Sequence, residues 1–224
     1  MRKIFFLTAL LMMILTTTAF AKKADPDSEA YIYTSEDYAY SIACPIKPLA
    51  VVRPAWFEPH QKGEMLVFAN EGFDILYAYV IQIDAFDTNK VPDFNHGSIS
   101  AIGDYLIGLK EKGGFASADL VNLTKKNKGV TAVTAGTIEV INPETGEVDG
   151  EFVANRQDIY TFFRTPEGRC IAVQLISANT EDKKYIDVYR YGVGSFKDLT
   201  KDKKFLKMLK EKEKKSKEKK SDKK

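Results

Sequence analysis

The sequence predicts an α+β domain, an antiparallel sheet with helices packed on it. Two observations point to that class. Between Val130 and Ile176, apolar runs of strand length are separated by Asn142-Pro143-Glu144-Thr145-Gly146 and Thr165-Pro166-Glu167-Gly168, turn chemistry that joins antiparallel neighbours. The apolar period lengthens to three and four residues only from Ser98, and a second helix is expected near Glu181, so there are too few helices for the crossovers that successive parallel strands require.

In chain order, Met1-Arg2-Lys3, the apolar run Ile4 to Leu15 and the small-residue pattern Ala19-Phe20-Ala21 form the layout of a signal peptide over residues 1–21, with cleavage after Ala21. A retained anchor is the competing reading, but the apolar run is shorter than the roughly 20 residues that span a bilayer. The expected address is therefore extracytoplasmic, in a periplasm or at a cell surface. Residues 22–30 read as a polar leader, 31–199 as a single domain and 200–224 as a lysine-rich tail.

Within the domain, Tyr38, Tyr40, Ile42 and Cys44 alternate with Ala39, Ser41 and Ala43, the period of a half-buried strand that stops at Pro45. A loop containing Pro45, Pro48, Pro54 and Pro59 follows. Met65 to Phe68 and Phe73 to Phe86 predict two well-buried strands, and Asn70-Glu71-Gly72 suits a tight turn between them. From Ser98, the spacing of Ile99, Ile102, Leu106 and Leu109 predicts an amphipathic helix capped by Ser98 and stopped at Gly113-Gly114. A meander from Val130 to Ile176 comes next, then a helix from about Glu181 to Tyr191, ended by Gly192 and Gly194.

Charge is divided along the chain. Residues 200–224 hold 13 lysines against five acidic residues, whereas residues 22–199 hold 18 basic and 26 acidic ones. No apolar residue follows Leu209, so the tail is expected to dock at most one turn, formed by Phe205, Leu206, Met208 and Leu209. Beyond it the expectation is disorder, or a solvated helix of mixed charge.

The segment Asp37-Tyr38-Ala39-Tyr40-Ser41-Ile42-Ala43-Cys44-Pro45 resembles the opening strand of the PsbP/Mog1-like superfamily, in which a following loop often holds a tryptophan, here Trp56. Val193-Gly194-Ser195-Phe196 resembles that superfamily's closing Ser-Phe. The resemblance spans about residues 31–197. It implies an α/β/α layering around an antiparallel sheet and a role as a binding or accessory module; it brings no catalytic motif with it.

The residues themselves offer few sites of chemistry. No HExxH, Gly-x-Ser-x-Gly, P-loop or GxGxxG pattern occurs, and no cofactor is expected. His60 and His96 stand alone in loops, where solvation is the ordinary state. Asp84, Asp87 and Asp93 with Glu58 offer oxygen ligands, but no EF-hand spacing. Cys44 and Cys170, in an exported chain, either pair as a disulfide or lie as two buried thiols. Trp56, Phe57, Glu58 and His60 form the candidate binding loop, with a lid over the sheet as the alternative for the two aromatics.

Lys201, Lys203, Lys204, Lys207 and Lys210 are candidates for an electrostatic tether to anionic envelope polymer or lipid headgroups; the plainer reading is a solubilising tail. Nucleic acid is set aside because export removes the usual target and the tail has no arginine and no aromatic beyond Phe205. The leading expectation is a non-enzymatic binding or accessory protein whose partner is an unidentified protein or envelope component. The alternatives are an extracytoplasmic hydrolase using carboxylates and a structural or assembly partner.

Overall fold

A computed structural model describes residues 30–69, 76–134, 137–141, 148–153, 158–177 and 183–221. The proposed signal peptide, most of the leader and the turns at Asn70-Glu71-Gly72 and Asn142 to Gly146 lie outside the described residues. The strands are β1 (Tyr31–Ser35), β2 (Tyr40–Cys44), β3 (Ala50–Val52), β4 (Lys62–Ala69), β5 (Leu76–Ile83), β6 (Ser117–Asn122), β7 (Lys128–Val133), β8 (Thr137–Ile141), β9 (Val148–Val153), β10 (Ile159–Arg164), β11 (Cys170–Ser177) and β12 (Lys197–Asp198). The helices are α1 (Ile99–Lys112), α2 (Lys183–Gly194) and α3 (Lys203–Ser221). The class is α+β, and every strand pairing is antiparallel.

The main sheet has seven strands in the order β3-β4-β5-β11-β10-β7-β6. After β5 the chain leaves the centre through α1, reaches the far edge at β6, and returns strand by strand to place β11 beside β5. The β8–β9 hairpin is a separate two-stranded sheet inserted between β7 and β10. The expected meander is therefore real in its strands but not continuous in its pairing.

Alternation assigns the two faces of the main sheet. Leu66, Phe68, Tyr79, Ile81, Ile83, Phe163, Ile171, Val173 and Leu175 share one face and form the main core with Tyr40, Ile42 and Cys44 of β2 and Tyr189 and Val193 of α2. A three-stranded sheet, β1-β2-β12, and α2 thus make one outer layer. On the opposite face Met65, Val67, Ala78 and Val80 lie under the Pro-rich loop, while Val91, Phe94 and Val130 lie under α1. β2 is buried along its whole length rather than on alternate residues, because it is sandwiched inside this outer layer.

α1 begins as the sequence predicts: Ser98 Oγ accepts the Ala101 amide at 3.1 Å, and the Gly113 amide closes the far end on the Leu109 carbonyl at 3.0 Å. Ile99 is 91% exposed and does not join the packed stripe, whose members are Ile102, Tyr105, Leu106 and Leu109. In α2, Gly192 is not a stop. A Cβ there would come within 2.7 Å of the Ala43 carbonyl, so the glycine allows the helix to approach β2 closely.

The closing Ser195-Phe196 acquires a physical role. Ser195 Oγ donates to the Gly192 carbonyl at 2.6 Å and accepts the Ala43 amide at 2.7 Å, fastening the end of α2 to β2. Phe196 then stacks on Tyr40 at 5.2 Å and meets Phe163 edge-on at 5.3 Å.

Candidate functional site

Of the two states expected of the tail beyond its docking turn, disorder or a solvated helix of mixed charge, the structure carries the helix. Residues 203–221 form the 19-residue helix α3, because lysine, glutamate, leucine and methionine all favour helix and its start is capped. Asp202 caps it, Oδ1 accepting the Phe205 amide at 2.8 Å and the backbone carbonyl accepting that of Leu206 at 3.0 Å. Lys207 with Glu211 at 3.9 Å and Glu213 with Lys217 at 2.7 Å add pairs four residues apart.

Among the described residues, an apolar anchor and an ion pair fasten α3 to the domain. Phe205 is buried, and Lys212 Nζ is paired with Glu36 in the β1–β2 turn. Of the predicted docking turn, Met208 and Leu209 are half-buried and Leu206 is exposed. With Phe205, Leu209 and Lys212 facing the domain, steps of four and three place Lys203, Lys207, Lys210, Lys214 and Lys217 on the opposite side. All five are exposed, and among the described residues Lys203, Lys210 and Lys214 carry no ion pair. Lys201 precedes the helix, and Lys204 and Lys215 lie on its flank, so the predicted tether divides into a row and residues beside it.

The candidate loop is a built lid. Arg53 donates from Nη1 to the Gln61 carbonyl at 2.8 Å and from Nη2 to the Glu58 carbonyl at 2.7 Å, while its guanidinium lies 5.8 Å from the centre of the Phe57 ring. Gln61 Oε1 accepts the Glu58 amide at 2.7 Å. Trp56 and Phe57 are half-buried against the Met65, Val67, Ala78 and Val80 cluster. A Cβ at Gly63 would come within 3.0 Å of the Phe57 ring, so the ring rests on the backbone of β4. Glu58 and His60 remain exposed, and His60 is not brought to a partner among the described residues.

A buried carboxylate escaped the sequence reading. Glu64 Oε1 accepts hydrogen bonds from the Tyr40 hydroxyl at 2.6 Å and the Tyr33 hydroxyl at 3.1 Å. Burial first, and then the neighbouring carboxylate, hold both phenols above the usual tyrosine range. Both donors converge on one oxygen of an acid lodged between the sheets, an arrangement that ties β1 and β2 to β4. No local signal could reveal it, since Tyr33 and Tyr40 stand 31 and 24 residues from Glu64.

Asp87 and Asp93 serve their own turns, and Asp84 pairs with the start of β4. Asp84 pairs with Lys62 at 3.0 Å, Asp87 Oδ1 accepts the Asn89 amide at 2.9 Å, and Asp93 Oδ1 accepts that of Asn95 at 2.8 Å. His96 is exposed and sits 3.2 Å from Asp93 Oδ2. The Asn95 amide bond, with help from His96, draws the Asp93 carboxyl below its ordinary value against a smaller effect of burial. Among the described residues no group of three or more His, Cys, Asp or Glu is placed to hold a metal ion.

Cys44 and Cys170 are free thiols, so the structure carries the second of the two readings and not the disulfide. The reason is position: Cys44 ends β2 in the outer sheet, with Sγ 3.8 Å from the Ile42 carbonyl, while Cys170 opens β11 in the main sheet opposite Arg164. Burial pushes the Cys44 thiol up to about 12 and also raises Cys170. No helix among the described residues is long and apolar enough to cross a membrane.

No family model matches the chain, and no curated protein matches it. Among solved structures it is similar to the solution structure of cyanobacterial PsbP (CyanoP) from Synechocystis sp. PCC 6803, at 15% identity over 82% of this chain and 98% of that one, with a TM-score of 0.41. A likeness of that degree has no bearing on activity or partner; the fold class rests on the strands and helices described above.

Proposed function

We propose that this protein is a non-enzymatic extracytoplasmic binding or accessory module, held at an anionic surface by α3. The observation that supports it is the division of charge, given a direction by the docking of the helix. An acidic domain carries a helix whose buried side is Phe205 and whose outer side is lysine. Lysines near an anionic surface contribute about 1 kcal/mol each, an attraction that weakens beyond a screening length of about 8–10 Å at moderate salt. Docking keeps these lysines together on one side, which favours simultaneous contact over a solubilising role.

Held this way, the domain presents its Pro-rich loop to a protein or envelope component. The seating of Trp56 and Phe57 on β4 leaves Glu58 and His60 exposed, together with Arg53, Ala55 and Pro59.

Co-sedimentation with washed bacterial envelope tests the tether. The protein is expected to pellet at low salt and to be released at high salt. A variant carrying Gln at Lys201, Lys203, Lys204, Lys207 and Lys210 is expected to stay in the supernatant. Equal pelleting of the two, or no pelleting of either, overturns the reading. Neutralising the lysines is a better test than ending the chain at Leu199, because truncation also removes Phe205 from its seat and Thr200 from Asp198.

A further inference from the structure

We infer that the outer side of α3 is a docking track for a linear polyanion, one chain laid along the helix, rather than for a plane of lipid headgroups. The inference rests on the tethering reading above and specifies its partner.

Lys203, Lys207, Lys210, Lys214 and Lys217 form a single row along α3. At a rise of about 1.5 Å per residue the row extends roughly 21 Å, with one cation about every 5 Å. That is a one-dimensional charge array, complementary to a polymer carrying one phosphate or sulfate per short repeat. The rest of the helix argues against a flat surface. Glu211 flanks the row on one side and Glu213 on the other, so a plane of anionic headgroups would press against carboxylates, whereas a single strand passes between them. The apolar residues needed to sink a helix into a bilayer interface are also misplaced: Phe205 is buried in the domain, and Met208 and Leu209 are half-buried. Leu206 alone is left exposed, on the flank.

The docking of α3 supplies pre-organisation. Asp202 caps the helix start and Lys212 is bound to Glu36 at its middle, so the first part of the row, Lys203, Lys207 and Lys210, is fixed on the side away from the domain before any ligand arrives.

Titration calorimetry of the full-length protein with poly(glycerol phosphate), and separately with vesicles of phosphatidylcholine and phosphatidylglycerol in equal parts, tests the inference. Two variants of equal charge are compared with it. One replaces the row residues Lys203, Lys210 and Lys214 with Gln; the other replaces Lys201, Lys204 and Lys215, which lie off the row. The row variant is expected to lose polymer affinity roughly tenfold or more, the order that follows from removing three of five phosphate contacts, and the off-row variant much less. Circular dichroism checks that both keep α3.

Equal losses in the two variants would overturn the track and leave an undirected electrostatic tether. Binding to vesicles but not polymer would also overturn the track, while preserving the surface reading. Binding to neither would overturn both.

Discussion

At the scale of single residues, the most consequential position is Glu64, where one carboxylate oxygen accepts both Tyr40 and Tyr33. Removing the acid leaves the buried Tyr40 hydroxyl without its acceptor, so Glu64→Ala is expected to cost about 2–4 kcal/mol in urea unfolding, and Tyr33→Phe about 1 kcal/mol. A near-neutral Glu64→Ala would show that water replaces the carboxylate. Asp198 is a second such residue. Its side chain is fully buried, accepts Thr165 Oγ1 at 2.9 Å and Thr200 Oγ1 at 2.6 Å, and lies 3.6 Å from Arg169. Burial alone would raise this carboxyl, but the Thr200 and Thr165 hydrogen bonds and the Arg169 charge outweigh it, and its folded pKa is lowered. A lowered folded value means the stabilisation is complete above the unfolded aspartate value of about 3.9 and disappears as pH falls through the folded one. Asp198→Asn should therefore lose about 1–3 kcal/mol at neutral pH and show a shallower decline below about pH 4. An unchanged acid limb would assign that decline to other carboxylates. Apart from the local contact of Asp198 with Thr200, these partnerships were not legible beforehand, because they join residues brought together only by the fold. The cysteines were legible only as two alternatives, since spacing says nothing about which sheet each belongs to.

At the scale of elements, apolar runs located the central strands β4 and β5 and periodicity located α1, whereas elements with little buried surface were missed or left ambiguous. α1 was readable from Ser98 to Gly113 because its cap, its apolar spacing and its stop agree. β1 and β6 were missed: both are largely exposed and carry polar residues at positions a buried strand would fill. Gly192 was misread because a glycine that permits close approach and one that ends a helix are the same letter. α3 was ambiguous because a run of lysine and glutamate without apolar residues is written alike whether solvated as helix or coil; the deciding features are Asp202, Phe205 and Glu36, the last far away in sequence. These contacts are unequal. Glu36→Gln breaks an exposed ion pair and is expected to change stability by less than about 1 kcal/mol. Phe205→Ala removes the buried anchor and is expected to cost about 2–3 kcal/mol of docking, with a visible loss of helical circular dichroism. If Glu36→Gln releases the helix as fully as Phe205→Ala, the ion pair and not the ring is what holds it.

At the scale of the whole molecule, cooperativity should follow the layers. The central strands β5, β11 and β10 are paired on both sides, and their inner face lies beneath β2 and α2. Nothing in this core opens without breaking the main sheet, so their amides should exchange with solvent only through global unfolding. α3 has the opposite character. Past Leu209 its described side chains through Lys217 are exposed, and the stabilisation available there is a few exposed pairs and helix propensity. The order of elements along the chain gives no hint of this hierarchy, because the pairing of β5 with β11 closes only after α1 and five intervening strands have been placed. Native-state hydrogen exchange is expected to find the amides of β5 and β11 slowest and those of α3 beyond Glu211 faster by several orders of magnitude. Phe205→Ala should accelerate the first turns of α3 while leaving β5 and β11 as they are, since its ring is outside the main core. Should the far end of α3 exchange as slowly as β5, the helix belongs to the same cooperative unit as the sheet, and the row of lysines it carries is as rigid as the core beneath it.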